Sequence, residues 1–383
     1  METLKLAIVG GGFAGLYAAY RLSEAHEVTL YEEDNSVGRP KHCTGLVSKW
    51  TMEKIGQPAI NSLENSFNKI TFIAGSSSVR FERDSIAVKI DRVGLEKRLL
   101  KGAMKNGITI KMPHRVSSVT PNGEVLSPKE TRHSFDAVIV ADGIAGKISS
   151  SLGIDKNNYR KILGVNIDIK SNYVTKIDEL RIIFSRKFNG FFGWIVPVSS
   201  NKIIIGGGSR DLIKASDIIS AMNIDGKIQG RYGGIILTGP PAKKPYNGLA
   251  FVLGDAAGLT KPFTGGGLYP NVKVVDCFRS NNLDHWRRCL DDTVKELRSQ
   301  LHIARIFQED ASPEDIADLF DVVRKYGISE VLSHSLDYDK HEELVSLIFS
   351  RKIEAARAGI EYFFKHPSSG LKLLRRILSV LIT

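Results

Sequence analysis

The chain has 383 residues, 42% hydrophobic and 25% charged, a composition that excludes a disordered or collagen-like polymer and allows two or three globular domains. Its formal net charge of +11 fits either a basic soluble surface or anionic partners such as phosphates and anionic lipid; with no nucleic-acid-binding motif, nucleic acid is not an expected partner. The cysteines Cys43, Cys277 and Cys289 lack C-x-x-C spacing, so no metal site is expected and a reducing cytoplasm is, while no apolar run reaches the ~18 residues of a membrane span.

Residues 4–9, LKLAIV, form an apolar run stopped by glycines and read as a buried strand rather than a signal peptide. Residues 14–23 fit a helix and EVTLYE at 27–32 a second strand, which makes a βαβ opening. A glycine-bounded loop, GRPKHCTGLVS at 38–48, follows and carries Cys43. Residues 69–90 alternate like antiparallel strands, and DRVGLEKRLLKGAMKNG at 91–107 reads as an amphipathic helix ended by glycine. The segments ITIKMP and RVSSV are strand-like, and SFDAVIVADG at 134–143 is an apolar strand ending in a turn. From 160 to about 245 the pattern is β-rich, interrupted by a helix at 211–222. LAFVLGDAAG then returns to a buried strand and glycine turn, and the pattern from about 266 onward is helical. The expected class is α/β with α+β character: a Rossmann-like nucleotide-binding domain from 1–158 and 246–282, an antiparallel-sheet domain at 159–245 and a helical region at 283–383.

Three glycine-rich turns carry the chemistry. In 10-GGGFAG-15, Gly10, Gly12 and Gly15 satisfy G-x-G-x-x-G between a strand and a helix opened by Phe13 and Ala14, where free N–H groups attract a pyrophosphate. Glu32, twenty residues past Gly12, is placed to accept ribose hydroxyls, with Glu33 beside it. Ala141, Asp142 and Gly143 leave a buried strand at its C-terminal end, where open α/β sheets place ligands; a plain strand-to-turn exit is the alternative. In 250-AFVLGDAAGLTKPFTGGGL-268, Gly254 and Asp255 follow a strand, and Gly265, Gly266 and Gly267 precede a helix opened by Leu268. Asp255 suits a ribityl or ribose hydroxyl, and the triple glycine frees backbone N–H groups to face an electron-rich ring edge.

In this order the three turns resemble the FAD-dependent family that includes aromatic hydroxylases of the p-hydroxybenzoate hydroxylase type, over residues 1 to about 280. The resemblance implies that FAD is the cofactor, with its ADP half at the first turn and its ribityl-pyrophosphate at Gly254–Asp255. The 91–107 helix resembles the family's R-x-x-L-x-x-x-L helix, which implies Arg92 as an FAD contact and Val116 as a neighbour of adenine. Two further stretches resemble the geranylgeranyl reductase family. HCTGLVS at 42–48 is similar to its cysteine–glycine loop, and PFTGGGL at 262–268 to its P-x-T-G-G-G-[IL] turn. In FGWIVP at 192–197, Trp194 and Pro197 match the family's Y-x-W-x-F-P, whereas Phe192 and Val196 depart from its tyrosine and phenylalanine.

This second resemblance implies an FAD-dependent oxidoreductase that hydrogenates C=C bonds of geranylgeranyl or related isoprenoid lipid chains by hydride transfer from reduced FAD. An FAD-dependent aromatic monooxygenase and a quinone-linked flavoprotein oxidoreductase are the alternatives. An unactivated alkene has no carbonyl to polarise, so positioning in a dry apolar pocket should outweigh acid–base groups. Phe188, Phe192, Trp194 and Pro197 are the expected pocket, with core of the second sheet as the other reading for Phe188. The resemblance sets Cys43 and Thr44 beside the flavin and makes Cys43 and Trp194 candidate catalytic residues; a buried inert thiol is the other reading of Cys43. The electron donor is open between ferredoxin and NAD(P)H. At the C-terminus, Leu371, Leu373, Leu374, Ile377, Leu378, Val380, Leu381 and Ile382 share one helical arc, with Lys372, Arg375 and Arg376 outside it. That pattern fits peripheral contact with the inner face of a membrane or packing on the protein's own core.

Overall fold

The computed structural model describes residues 3–128, 132–156, 158–171, 177–335, 337–340 and 352–382. Its first sheet grows from the strand Lys5–Val9, which pairs in parallel with Glu27–Tyr31 on one side and Ala137–Val140 on the other. Ala250–Val252 extends the sheet in parallel beyond Ala137–Val140, and Thr109–Lys111 extends it beyond Glu27–Tyr31. Runs such as LAIV and AVIV are buried without alternation, as strands covered on both faces require. The helix Phe13–Leu22 packs on these strands and against the helices Arg92–Lys105 and Leu268–Cys277. Because Val9, Val140 and Val252 are register partners in parallel strands, the turns that follow them leave the sheet side by side. The register of one sheet therefore gathers three turns that lie far apart in sequence.

The second sheet has eight strands, ordered Lys227–Leu237, Lys161–Lys170, Lys202–Ser209, Gly193–Ser199, Glu179–Phe184, Leu63–Ala74, Ser77–Ile90 and Leu46–Val47. Its pairings are antiparallel except where Glu179–Phe184 runs parallel to residues 69–74. The strands at 63–90, expected in the nucleotide-binding domain, belong to this sheet. Their register with 179–184 carries the sheet across the expected boundary at 158/159, because pairing rather than chain order decides which strands share a layer. The edge strand Lys227–Leu237 reads weakly in sequence because glycines at 230, 233 and 234 break its alternation. One face of the sheet packs on the helix Ala215–Met222, and the other carries an aromatic cluster against Pro313–Lys325 and Ile328–Ser335.

The helical region starts at Leu283–Arg305, where the Asn282 side chain accepts the His285 N–H. A π turn at Ile306–Asp310 leads to Pro313–Lys325, started by a reciprocal cap between Ser312 and Asp315 and by a proline at the first helical position. Cys277 and Cys289 are joined as a disulfide with Cα atoms 6.5 Å apart. The sequence points to a reducing cytoplasm and marks no such pairing; the turn at 278–282 folds the second helix back onto the first and brings the two cysteines together. Cys43 keeps a free thiol. The helix Pro367–Ile382 turns Arg376 inward to Asp310, 2.9 Å away, and leaves Leu371 half exposed. Of the expected apolar arc, the side chains at 374, 377, 378 and 380–382 lie outside the described residues. Among the described residues, no helix is long and apolar enough to cross a membrane.

A buried ion pair fastens the helical tail to both sheets. Lys261 Nζ donates to Asp339 Oδ1 at 2.5 Å, and both side chains are almost fully enclosed. Asp339 Oδ2 accepts the Ser48 N–H at 2.8 Å and the Thr51 hydroxyl at 2.5 Å. Burial pushes the Asp339 carboxyl up, but Lys261 and these hydrogen bonds outweigh it and hold it below the usual carboxylate range. With the folded value depressed, the pair stabilises above the unfolded value of ~3.9 and its contribution is lost as pH falls through the folded value. Asp339→Ala strands a buried ammonium and is expected to cost about 3–5 kcal/mol. Urea unfolding at pH 7 reads that loss, and the variant's stability should fall less steeply than the wild type's below about pH 4.

Candidate active site

The edge where Val9, Val140 and Val252 end opens into a cavity of about 620 Å³, inside the ~300–1,000 Å³ range of ligand sites. The glycines of the first turn divide the work. Gly10 sits at φ +107°, and a Cβ there would strike the Ala141 carbonyl; one at Gly15 would strike the Gly10 carbonyl. Both serve the close approach of strand and helix, and neither lines the cavity. Gly12 does line it, with ordinary extended backbone and nothing within 4 Å of a Cβ built on it. That open space lies at the N-terminus of Phe13–Leu22, where free N–H groups and the helix dipole favour a phosphate. The Glu32 carboxylate accepts the N–H groups of Gly11 and Asp34, the latter at 2.7 Å, and faces the cavity.

Three expected contacts point elsewhere. Glu33 is exposed and lies 3.7 Å from Arg115. Val116 is buried in the first core, outside the cavity wall. The Asp142 carboxylate caps the helix Lys147–Ser151, accepting the N–H groups of Ile148 and Ser149 at 3.0 and 3.1 Å. Its neighbours Ala141 and Gly143 line the cavity, and Gly143, at φ +71°, has open space around a Cβ position.

The turns at 254 and 265–267 are held by residues that no motif marks. Asn271 accepts the Gly254 N–H at 2.7 Å and donates to the Gly267 carbonyl at 2.6 Å, so one side chain clamps the two turns together. Lys261 shapes the triple glycine through backbone bonds, accepting from the Gly265 N–H at 2.8 Å and donating to the Gly266 carbonyl at 3.0 Å. Gly265 sits at φ +70° against Ile236, a position closed to other residues. Asp255, Gly266, Gly267 and Leu268 all line the cavity. Burial pushes the Asp255 carboxyl up, against the charges of His42 and Arg92.

The Cys43 loop forms the facing wall. Gly45 pins its end: at φ +86° it passes so near the Ile90 carbonyl that a Cβ would strike it, and its own carbonyl accepts the Ile90 N–H at 2.8 Å. Arg92, which opens the helix Arg92–Lys105, lines the cavity with Cys43 and pairs with Glu96 at 2.5 Å. Burial opposes the guanidinium charge, and Cys43 and Glu96 more than restore it. Asn166 is the residue that sequence patterning misses. Its Oδ1 accepts the Thr44 hydroxyl at 2.9 Å and the Trp194 indole N–H at 3.0 Å, tying the cysteine loop to the second sheet. The signal was available in ILGVNIDI, where Asn166 and Asp168 interrupt an apolar run. Tyr338 and Asp339 complete the wall from the helical tail.

The aromatic expectations split. Phe192 and Trp194 line the cavity with Phe191; Phe191 and Phe192 stack at 4.1 Å, and Trp194 stands edge-on to both. Trp194 lies flat on Gly206, where a Cβ would strike the indole. Phe188 is corrected to core: it fills the gap over Gly193 and Gly207 beside Met222, in the cluster on the opposite face of the sheet. Pro197 is also corrected, since strand alternation puts it on the face of Ile195 rather than that of Trp194, away from the cavity.

The cavity joins a phosphate-favouring helix start to an apolar wall, with a free thiol between. Since Gly12 keeps space empty without needing a glycine conformation, Gly12→Val should fold, with the melting temperature of the flavin-free protein unchanged. It should purify with at least tenfold less bound flavin. The ratio of flavin to protein absorbance, measured beside the unfolding curve, checks this; full flavin content would make Gly12 a spacer with no ligand role.

Comparison with known proteins agrees with this geometry. The family described as NAD(P)-binding Rossmann-like domain matches residues 8–42. A digeranylgeranylglycerophospholipid reductase 2 of Methanopyrus kandleri is 23% identical, with 94% of this chain and 98% of that protein covered. A solved geranylgeranyl bacteriochlorophyll reductase-like protein from Thermoplasma acidophilum superposes with a TM-score of 0.75 at 17% identity, covering 94% of this chain and all of the other. A 2-methyl-3-hydroxypyridine-5-carboxylic acid oxygenase shares the fold with a TM-score of 0.59 at 15% identity, over 87% of this chain and 93% of that one. Sequence and fold together make the chain similar to the geranylgeranyl reductases, and an FAD-dependent oxidoreductase is the class that this likeness supports.

Proposed function

We propose that the protein reduces C=C bonds of isoprenoid lipid chains. The observation that carries this reading is the Asn166 junction, which locks a free thiol and an aromatic wall together at the nucleotide edge. Relatives named for reduction of a digeranylgeranyl phospholipid support it. Bound in its reduced form, FAD supplies a hydride to one alkene carbon. The chain supplies position, dryness and a proton. Ile182, Phe191, Phe192, Trp194 and Ile236 give the alkene a wall free of charged groups. Cys43 Sγ, a free thiol on the cavity wall, donates its proton to the other alkene carbon and is reprotonated from solvent. The balance closes with two hydrogens added per double bond and the flavin oxidised.

Anaerobic reduction with dithionite, followed by a geranylgeranyl lipid, tests the reading without knowledge of the natural electron donor, for which NAD(P)H and ferredoxin are both open. The lipid should gain two hydrogens per turnover as the flavin reoxidises. Cys43→Ser should slow this about 100-fold with flavin content intact. Oxygen-dependent hydroxylation of an aromatic compound, with no lipid reduction, would replace the proposal with the monooxygenase reading.

We also propose that the protein makes peripheral contact with a membrane surface. Ile360, Phe363, Phe364 and Leu371 are exposed apolar residues on the helices Lys352–Lys365 and Pro367–Ile382, the second of which also carries exposed Lys372 and Arg375. Phe364→Asp should weaken co-sedimentation with anionic vesicles several-fold, since it buries a charge where apolar area was. Equal sedimentation of the variant would remove this face from the binding surface.

A further inference from the structure

Beyond the cavity, one end of the second sheet carries an arginine cluster that the reaction does not use. Arg160 precedes the strand Lys161–Lys170, Arg210 follows Lys202–Ser209, Arg305 ends the helix Leu283–Arg305, and Arg376 lies on the C-terminal helix. All four turn toward Glu309. Its Oε1 meets Arg160 Nη2 and, at 3.3 Å, Arg210 Nη2; its Oε2 lies 3.8 Å from Arg376 Nη2 and 3.9 Å from Arg305 Nε. Asp310 adds one acceptor, 2.9 Å from Arg376 Nε. Four guanidinium charges therefore share two carboxylates.

The shortfall leaves polar atoms without partners. Arg160 Nη1, Arg305 Nε and the His302 Nδ1 ring nitrogen are buried atoms with no hydrogen-bond partner, which folded proteins seldom tolerate. Burial, followed by the charges of Arg305, Arg210 and Arg376, pushes the Arg160 guanidinium down to about 10. Burial, Arg376 and Arg305 likewise lower His302. The cluster still reaches solvent, since the Arg210, Arg305 and Arg160 side chains are 41%, 32% and 27% exposed.

We propose that this cluster binds a phosphate group. A phosphate carries close to the two negative charges that are missing and has several acceptor oxygens, which suit the planar guanidinium fork. Its place in the fold gives it a use that rests on the reductase reading. Arg160 and Arg210 flank strand ends whose neighbours, Gly164 and Leu237, line the cavity. Gly164 is four residues along the strand from Arg160, roughly 13 Å at about 3.3 Å per residue. The aromatic contacts Phe192–Phe263 at 5.6 Å and Phe263–Phe307 at 5.3 Å also run from the cavity wall to the residue two before Glu309. A phospholipid with its isoprenoid chain in the cavity would present its headgroup here. Inorganic phosphate offers the same chemistry.

Calorimetric titration of the flavin-loaded protein with glycerol 1-phosphate and with inorganic phosphate, at fixed ionic strength, tests the site without catalysis. Binding of one ion per chain is expected, weakened at least tenfold in Arg210→Gln and partly restored in Arg210→Lys. Arg210 is exposed enough to be changed without unfolding the chain. No binding by the wild type, or equal binding by Arg210→Gln, overturns the proposal. A second arm identifies the occupant by comparing the KM for digeranylgeranylglycerophospholipid with that for headgroup-free digeranylgeranylglycerol under dithionite. A headgroup site raises that ratio about tenfold in Arg210→Gln; a level ratio with lost phosphate binding makes inorganic phosphate the occupant. Should the wild type reduce neither lipid, the reductase reading falls and the titration still decides the site.

Discussion

The enclosed pair of Lys261 and Asp339 is the constraint on which the site depends. Both charges give up water, a cost that their attraction offsets only with good geometry and further hydrogen bonds. Both conditions are met, by the Thr51 hydroxyl and the Ser48 N–H on one side and by the Tyr338 carbonyl on the other. What the arrangement fixes is register. Lys261 also forms the backbone bonds that shape the triple-glycine turn, and Ser48 caps the helix directly after the Cys43 loop. The ion pair thus holds two facing walls of the cavity at a set distance and closes a third with the helical tail. A hydrophobic pair of equal volume would fill the space but would not specify which segments meet.

Glycine acts here in four physical roles that a motif string does not separate. Gly10 and Gly15 let a strand and a helix approach to backbone contact, and Gly45 and Gly265 supply a left-handed conformation at a tight approach. Gly12 does neither and keeps a volume free. A fourth use lies in the second sheet, where Gly193, Gly206 and Gly207 remove side chains so that Phe188 and Trp194 lie flat on opposite faces. The aromatic wall beside the thiol is therefore built partly from absent side chains, which sets Trp194 close enough to the strand for its indole N–H to reach Asn166.

The nucleotide edge is legible in sequence because its residues are consecutive. Gly12, Phe13 and Ala14 come from one turn, Gly265 to Leu268 from another, and the strands that present them are unbroken apolar runs. Roles set by long-range register are not legible. Asn166 looks like one polar interruption in a strand until pairing brings Thr44 and Trp194 to the same oxygen. Phe188 and Phe192 lie four residues apart in similar surroundings, and only the turn between them and the glycine gaps beneath decide that one is core and the other wall. The strands at 63–90 mislead for the same reason: local alternation marks a strand without naming its sheet. Tyr338 and Asp339 sit in a helical tail with no motif, so their place at the cavity follows from the tertiary fold alone.

The same tail sets the order in which the site is finished. The glycine turn at 10–15 and the cysteine loop emerge early in synthesis, yet Asp339, which anchors their opposite wall, lies roughly 300 residues further along the chain. At about 5–20 residues per second, tens of seconds separate the first wall from the last. During that interval the nascent chain presents an open nucleotide edge and a free thiol without the carboxylate that fastens them. Closure of the nucleotide edge therefore waits until Asp339 has emerged and met Lys261.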